Sequence, residues 1–97
     1  MLDVKVPGRL ADGRAMASDG MALAVARAIR AERARAGLTQ EELGARAGLH
    51  RNTVGAIETL TRKVSVDELP DICDALGITL ADLFAKIPAE DRRKLGL

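Results

Sequence analysis

Residues 50–52, His-Arg-Asn, set three side chains with planar hydrogen-bonding groups in a row. An arginine fork can contact guanine through two hydrogen bonds, and an asparagine amide can do the same for adenine. Arg51 and Asn52 are therefore the candidate base readers. Gly55 and Ala56, one helical turn on, are too small to hydrogen-bond through side chains, but they permit close approach, and Ala56 suits a thymine methyl. The sequence leaves three roles open for His50: helix cap, phosphate contact or base reader. Thr39, Thr53, Thr59, Thr61, Arg62 and Lys63 add the hydroxyls and cations that commonly contact a nucleic-acid backbone.

The same inventory argues against other chemistry. His50 is the single histidine and Cys73 the single cysteine, so no zinc site with its usual ligands can be assembled around them. No nucleophile has a histidine base beside it, no glycine-rich phosphate loop is present, and Phe84 is the sole aromatic residue, too few for an aromatic-lined pocket. The expectation is a protein that is not an enzyme and uses no metal or cofactor. Cys73 falls within an apolar helical pattern and reads as a small core residue in a reducing compartment. The longest apolar run, residues 21–26, is far too short to span a bilayer, and no secretory signal precedes it, so the expected location is cytoplasmic.

Ninety-seven residues, 47% of them hydrophobic and many of those alanine, suit one all-α domain of closely packed helices. Charge is unevenly spread. Residues 1–63 hold eleven Lys/Arg against seven Asp/Glu, whereas residues 64–97 hold four against seven. A basic front and an acidic back suggest a face for a polyanion and a face turned away from it.

The elements that must position these residues follow from local signals. Residues 1–18 contain Pro7, Gly8 and Gly13 without a sustained period and read as a flexible arm, with Lys5, Arg9 and Arg14 as solvated charges or phosphate partners. The domain proper is expected over residues 19–86 and a tail or short helix over 87–97. A first helix over residues 19–36 carries Val25, Ile29, Arg33 and Ala36 on one stripe and stops at Gly37. Arg33 is the odd member, since a guanidinium facing a core needs a carboxylate; Glu58 is the candidate partner. Thr39 with Glu42 forms a capping box for a second helix with Leu43 and Ala47 inward, stopped by Gly48. A third helix begins at residue 49 or 50, with Val54 and Ile57 inward. Ser65 with Glu68 opens a fourth carrying Leu69, Ile72, Cys73 and Leu76, with Pro70 near its start and Gly77 at its end. Thr79 with Asp82 caps a fifth, short helix holding Leu83 and Phe84. Arg27, Arg30, Arg35 and Arg46 read as solvated charges or distant phosphate partners rather than base readers.

Two short helices joined by a tight glycine-containing turn make a helix-turn-helix, whose second helix enters the major groove of DNA. Leu43, Ala47, Val54 and Ile57 would fix the angle between the helices, Gly44 would let the backbones approach, and Gly48 would take the positive φ of the turn. With these residues in place, residues 22–84 resemble the Cro/C1-type, five-helix lambda-repressor-like family of phage repressors and bacterial regulators. The resemblance is carried by Arg33, "GLTQEEL" at 37–43, "AGL" at 47–49, "TVGAIE" at 53–58 and "ALGITLADLF" at 75–84. It implies that Gln40 sits at a helix N-terminus against a DNA phosphate and that Arg33 and Glu58 join helix 1 to helix 3. The chain departs from the family at Leu60 and Val64, where Gly and Pro are frequent.

The expected function is a sequence-specific transcriptional regulator, a repressor that occludes a promoter by placing helix 3 in a double-stranded operator. Two alternatives stay open: an antitoxin that represses its own operon while its acidic half meets a toxin partner, and a protein-interaction module. So does the choice between a homodimer on a palindromic site and a monomer on an asymmetric one.

Overall fold

The computed structural model describes residues 5–96, with side chains from residue 20 to residue 96. Six helices and no strand occur among the described residues: α1 Lys5–Ala36, α2 Gln40–Ala47, α3 Arg51–Glu58, α4 Leu69–Leu76, α5 Leu80–Ala85 and α6 Ala89–Lys94. None is long and apolar enough to cross a membrane.

α1 starts at Lys5 rather than near residue 19. Pro7 falls in its first turn, where the missing N–H has no intrahelical partner to lose, and the alanine-rich continuation favours helix over the breaks suggested by Gly8 and Gly13. The backbone of the expected arm is thus helical from Lys5 on, and the side chains of Lys5, Arg9 and Arg14 lie outside the described residues.

The ends of the central helices follow local chemistry. Thr39 accepts from the Glu42 N–H at 3.0 Å while Glu42 accepts from the Thr39 N–H at 2.8 Å, closing the capping box that starts α2. Those bonds favour the ionised carboxylate and hold Glu42 below its ordinary pKa. Thr79 and Asp82 repeat the device at α5. At α4 the box bonds between Ser65 and Glu68 form, yet the helix begins only at Leu69. Pro70 supplies no N–H there, and the preceding segment closes with tighter bonds, Glu68 N–H to Ser65 C=O and Leu69 N–H to Val66 C=O.

One core unites α1 to α5. Val25, Ala28 and Ile29 of α1 meet Leu43 and Ala47 of α2, Val54 and Ile57 of α3, Leu69, Ile72, Cys73 and Leu76 of α4, and Leu83 of α5. The connection after α5 adds Ile87, 1% exposed. Each fully buried Leu or Ile contributes roughly 1.5–3 kcal/mol relative to an exposed one, so this cluster fixes the angle between α2 and α3. Ala36, expected on the inward stripe, is exposed. Phe84 is half-buried. Cys73 is a buried free thiol whose pKa is pushed up by desolvation, as suits a core residue.

Candidate nucleic-acid interface

The turn between α2 and α3 is tight, with glycine at two of its critical positions. Gly48 takes φ 74°, and the Leu49 N–H reaches the Gly44 C=O at 2.7 Å. A Cβ on Gly44 would lie 2.4 Å from the Leu49 oxygen, so only glycine permits this approach. The chain then enters α3 at His50, whose Nδ1 accepts from the Asn52 N–H at 3.0 Å. Capping, one of the three roles open to His50, is formed in this way. With Nδ1 accepting, Nε2 is the ring nitrogen that remains to donate elsewhere.

Beyond the cap, Arg51 and Asn52 are exposed on the first turn of α3. They line one open groove of about 630 Å³ together with Gln40, Gly55, Ala56, Thr59 and Thr61. Helical geometry explains the convergence: with Val54 and Ile57 buried, positions 51, 52, 55, 56 and 59 share the opposite face. α2 supplies Gln40 from its first turn, and Thr61 comes from the chain leaving α3. Arg51 also approaches Glu41 at 4.0 Å, an exposed pair that constrains it little.

Behind the groove the Arg33–Glu58 pair forms as expected. Arg33 donates from Nε to Glu58 Oε2 at 2.6 Å, from Nη2 to Oε1 at 3.0 Å and from Nη1 to the Leu38 C=O at 2.8 Å. The Glu58 side chain is only 2% exposed and that of Arg33 17%, and the bonds to Glu58 raise the Arg33 pKa further. Gln40 joins them, its Nε2 donating to Glu58 Oε1 at 3.1 Å. One carboxylate thereby links α1, α2 and α3.

The remaining candidates are not brought to the groove. His50 lies in an adjoining depression with Glu41, Ala45, Leu49 and Arg51. Thr39 is committed to its cap, and Thr53 is half-buried on α3. Arg62 makes two hydrogen bonds to Glu68, at 2.9 and 2.5 Å, a pairing that no sequence pattern signals because the partners straddle an irregular loop. Arg62 holds the Glu68 carboxyl down at about 2. Lys63 borders an apolar depression with Val64, Val66, Leu69 and Phe84. Elsewhere Arg35 is exposed, as expected, and also donates to the buried Glu32 at 2.7 Å one helical turn away. No group of His, Cys, Asp or Glu among the described residues could hold a metal ion.

Comparison with known proteins bears on the whole arrangement. The helix-turn-helix family profile matches residues 29–83. Among solved structures, the restriction-modification controller protein C.Esp1396I superposes with a TM-score of 0.68 at 25% identity, over 75% of this chain and 94% of that one. The clp gene regulator ClgR from Corynebacterium glutamicum gives a TM-score of 0.62 at 30% identity, over 66% of this chain and 82% of that one. A nucleoprotein complex of C.Esp1396I gives 0.66 at 26% identity, over 72% of this chain and 91% of that one. No curated protein sequence matches the chain.

Proposed function

The chain belongs to the Cro/C1-type helix-turn-helix family and is a DNA-binding transcriptional regulator rather than an enzyme; from that premise we propose that it represses transcription by seating α3 in the major groove of an operator. The observation that carries this reading is the convergence of Arg51, Asn52 and Ala56 with Gln40, Thr59 and Thr61 on one groove.

The division of labour follows from chemistry. Arg51 reads guanine and Asn52 adenine, each through paired hydrogen bonds, while Ala56 meets a thymine methyl. His50 offers its Nε2–H at the groove's edge as a supplementary base contact. Gln40, Thr59 and Thr61 grip the phosphates on either side, with Thr39, Thr53, Arg62 and Lys63 as outer contacts. Thr59 donates to the Gly55 C=O at 2.9 Å and lies 3.0 Å from the Thr61 hydroxyl, so each hydroxyl releases its internal bond when it turns to donate to a phosphate. Repression follows by occlusion, because a domain occupying the major groove of a promoter blocks access to it.

Selection of bound duplexes from a random pool, followed by titration against salt, tests the proposal. The expected result is one enriched motif containing a G and an A at neighbouring positions, with affinity falling steeply as salt rises. The symmetry of that motif then tells whether one copy or two occupy the site. Binding without enrichment, or without salt dependence, would count against an operator-reading role.

A further inference from the structure

Gly55 has no backbone reason to be glycine. It sits in the middle of α3, outside the positive-φ glycines, where glycine weakens a helix relative to alanine. Its neighbourhood supplies a reason. A Cβ at this position would lie 3.3 Å from Gln40 Oε1 and 3.7 Å from both Cδ and Nε2 of the same amide. On its other side that amide donates to Glu58 at 3.1 Å, and Glu58 is itself held by Arg33 at 2.6 and 3.0 Å. The Gln40 amide is thus enclosed between a nearly buried carboxylate and a bare stretch of helix.

The enclosure also sets which end of the amide faces which neighbour. A carboxylate can only accept, so Glu58 selects the NH2 end of Gln40 and leaves the second N–H of that nitrogen unclaimed by it. A phosphate oxygen likewise only accepts, and a flipped amide would present it with an oxygen. Building on the DNA-binding reading above, we propose that Gly55 and Glu58 are positioning residues for Gln40. Glu58 fixes the orientation of the amide and Gly55 keeps open the space it occupies, so that Gln40 meets a DNA phosphate with its N–H. Arg33 acts one step further back by holding Glu58.

A double-mutant cycle tests this. Wild type, Gly55→Ala, Gln40→Ala and the double variant are titrated with the selected duplex and with a scrambled duplex, and the melting temperature of each variant is recorded. Gly55→Ala is expected to melt no lower than wild type yet to bind both duplexes several-fold more weakly. Gln40→Ala is expected to weaken both, and the double variant to bind no worse than Gln40→Ala alone. If the Gly55→Ala loss adds in full to that of Gln40→Ala, the new methyl meets DNA directly and the positioning role is overturned. Wild-type affinity in Gly55→Ala would overturn it as well. These outcomes leave the DNA-binding reading intact, whereas a wild type that binds neither duplex would remove both.

Discussion

α3 is bracketed by two left-handed residues, Gly48 before it with φ 74° and Leu60 after it with φ 61°. The backbone bonds around them are alike. Leu49 N–H reaches back to Gly44 C=O at 2.7 Å, and Thr61 N–H reaches back to Ala56 C=O at 2.9 Å, each closing the end of a helix. The residues differ. Before α3 every position holds a residue suited to it, with glycine at the positive φ, glycine at the close approach, and a side-chain cap from His50. After α3 a leucine occupies a conformation that costs a non-glycine residue roughly 1–2 kcal/mol. The leading turn rests on its glycines and its cap, while the trailing turn adds side-chain clasps to its own backbone and hydroxyl bonds. Arg33 of α1 clasps Glu58, and Arg62 clasps Glu68 across the loop. The trailing turn lines the groove through Thr59 and Thr61 and the leading turn lines the depression beside it, so α3 is set by local rules at one end and with tertiary help at the other.

The strongest break of this contrast is at the trailing end. Arg33→Ala would leave a Glu58 side chain that is 2% exposed with the Gln40 amide alone, and the expected loss is roughly 3 kcal/mol, moderated by that bond and by the partial exposure of Arg33. Urea unfolding would read it, and a variant as stable as wild type would show that Glu58 finds water or another donor. Next is Gly44→Ala at the leading end. Its Cβ would meet the Leu49 oxygen at 2.4 Å, so α2 and α3 must separate at a cost of about 2 kcal/mol. An unchanged melting temperature would mean that the turn relaxes freely.

A paired exchange then sharpens the comparison itself. Gly48→Ala is expected to lose about 1 kcal/mol, whereas Leu60→Gly is expected to gain a fraction of that, the relief of strain being offset by greater unfolded-state freedom and lost contacts of a half-buried leucine. Opposite signs in thermal melts would bear out the contrast; the same sign at both would erase it.

Acid gives the smallest effect. The Glu68 carboxyl is held at about 2, below its ordinary value of 4.5, by the Arg62 guanidinium. A depressed carboxylate adds stability above its unfolded pKa and loses it as pH falls through the folded one. The wild type should therefore lose part of its stability between pH 4.5 and 2, and Glu68→Gln should lose less over that window while starting lower at neutral pH. Parallel melting curves against pH for the two would dismiss the clasp.

The same contrast explains how much was legible in the sequence. Features whose partners lie within a few residues could be read directly: the capping boxes at Thr39 and Thr79, the stops at Gly37, Gly48 and Gly77, and the inward faces of α2, α3 and α4. The Arg33–Glu58 pair was legible because a guanidinium on an apolar stripe demands a carboxylate. The trailing turn was visible only as a departure, Leu60 where relatives favour glycine, and the positive φ there gives that preference its physical reason. Arg62–Glu68 could not be read, since no periodicity links two residues across an irregular loop and Glu68 already had a capping role. The sequence signals place the start of α1 too late, because Pro7 looks like a breaker unless the first turn is known to contain it. In the groove, Arg51, Asn52 and Ala56 followed from helical spacing. Enclosure of the Gln40 amide by Gly55 and Glu58 required three dimensions.

Whether the face of α3 reads base sequence is decided by the affinity of wild type and Arg51→Ala for a selected duplex and a scrambled one at the same salt. Arg51 is exposed and its contact with Glu41 is long, so the substitution should leave the fold intact. The expected result is a loss of about 1–3 kcal/mol on the selected duplex and little change on the scrambled one, narrowing the difference between them. Equal losses on both would make Arg51 a phosphate contact and contradict base reading by this face.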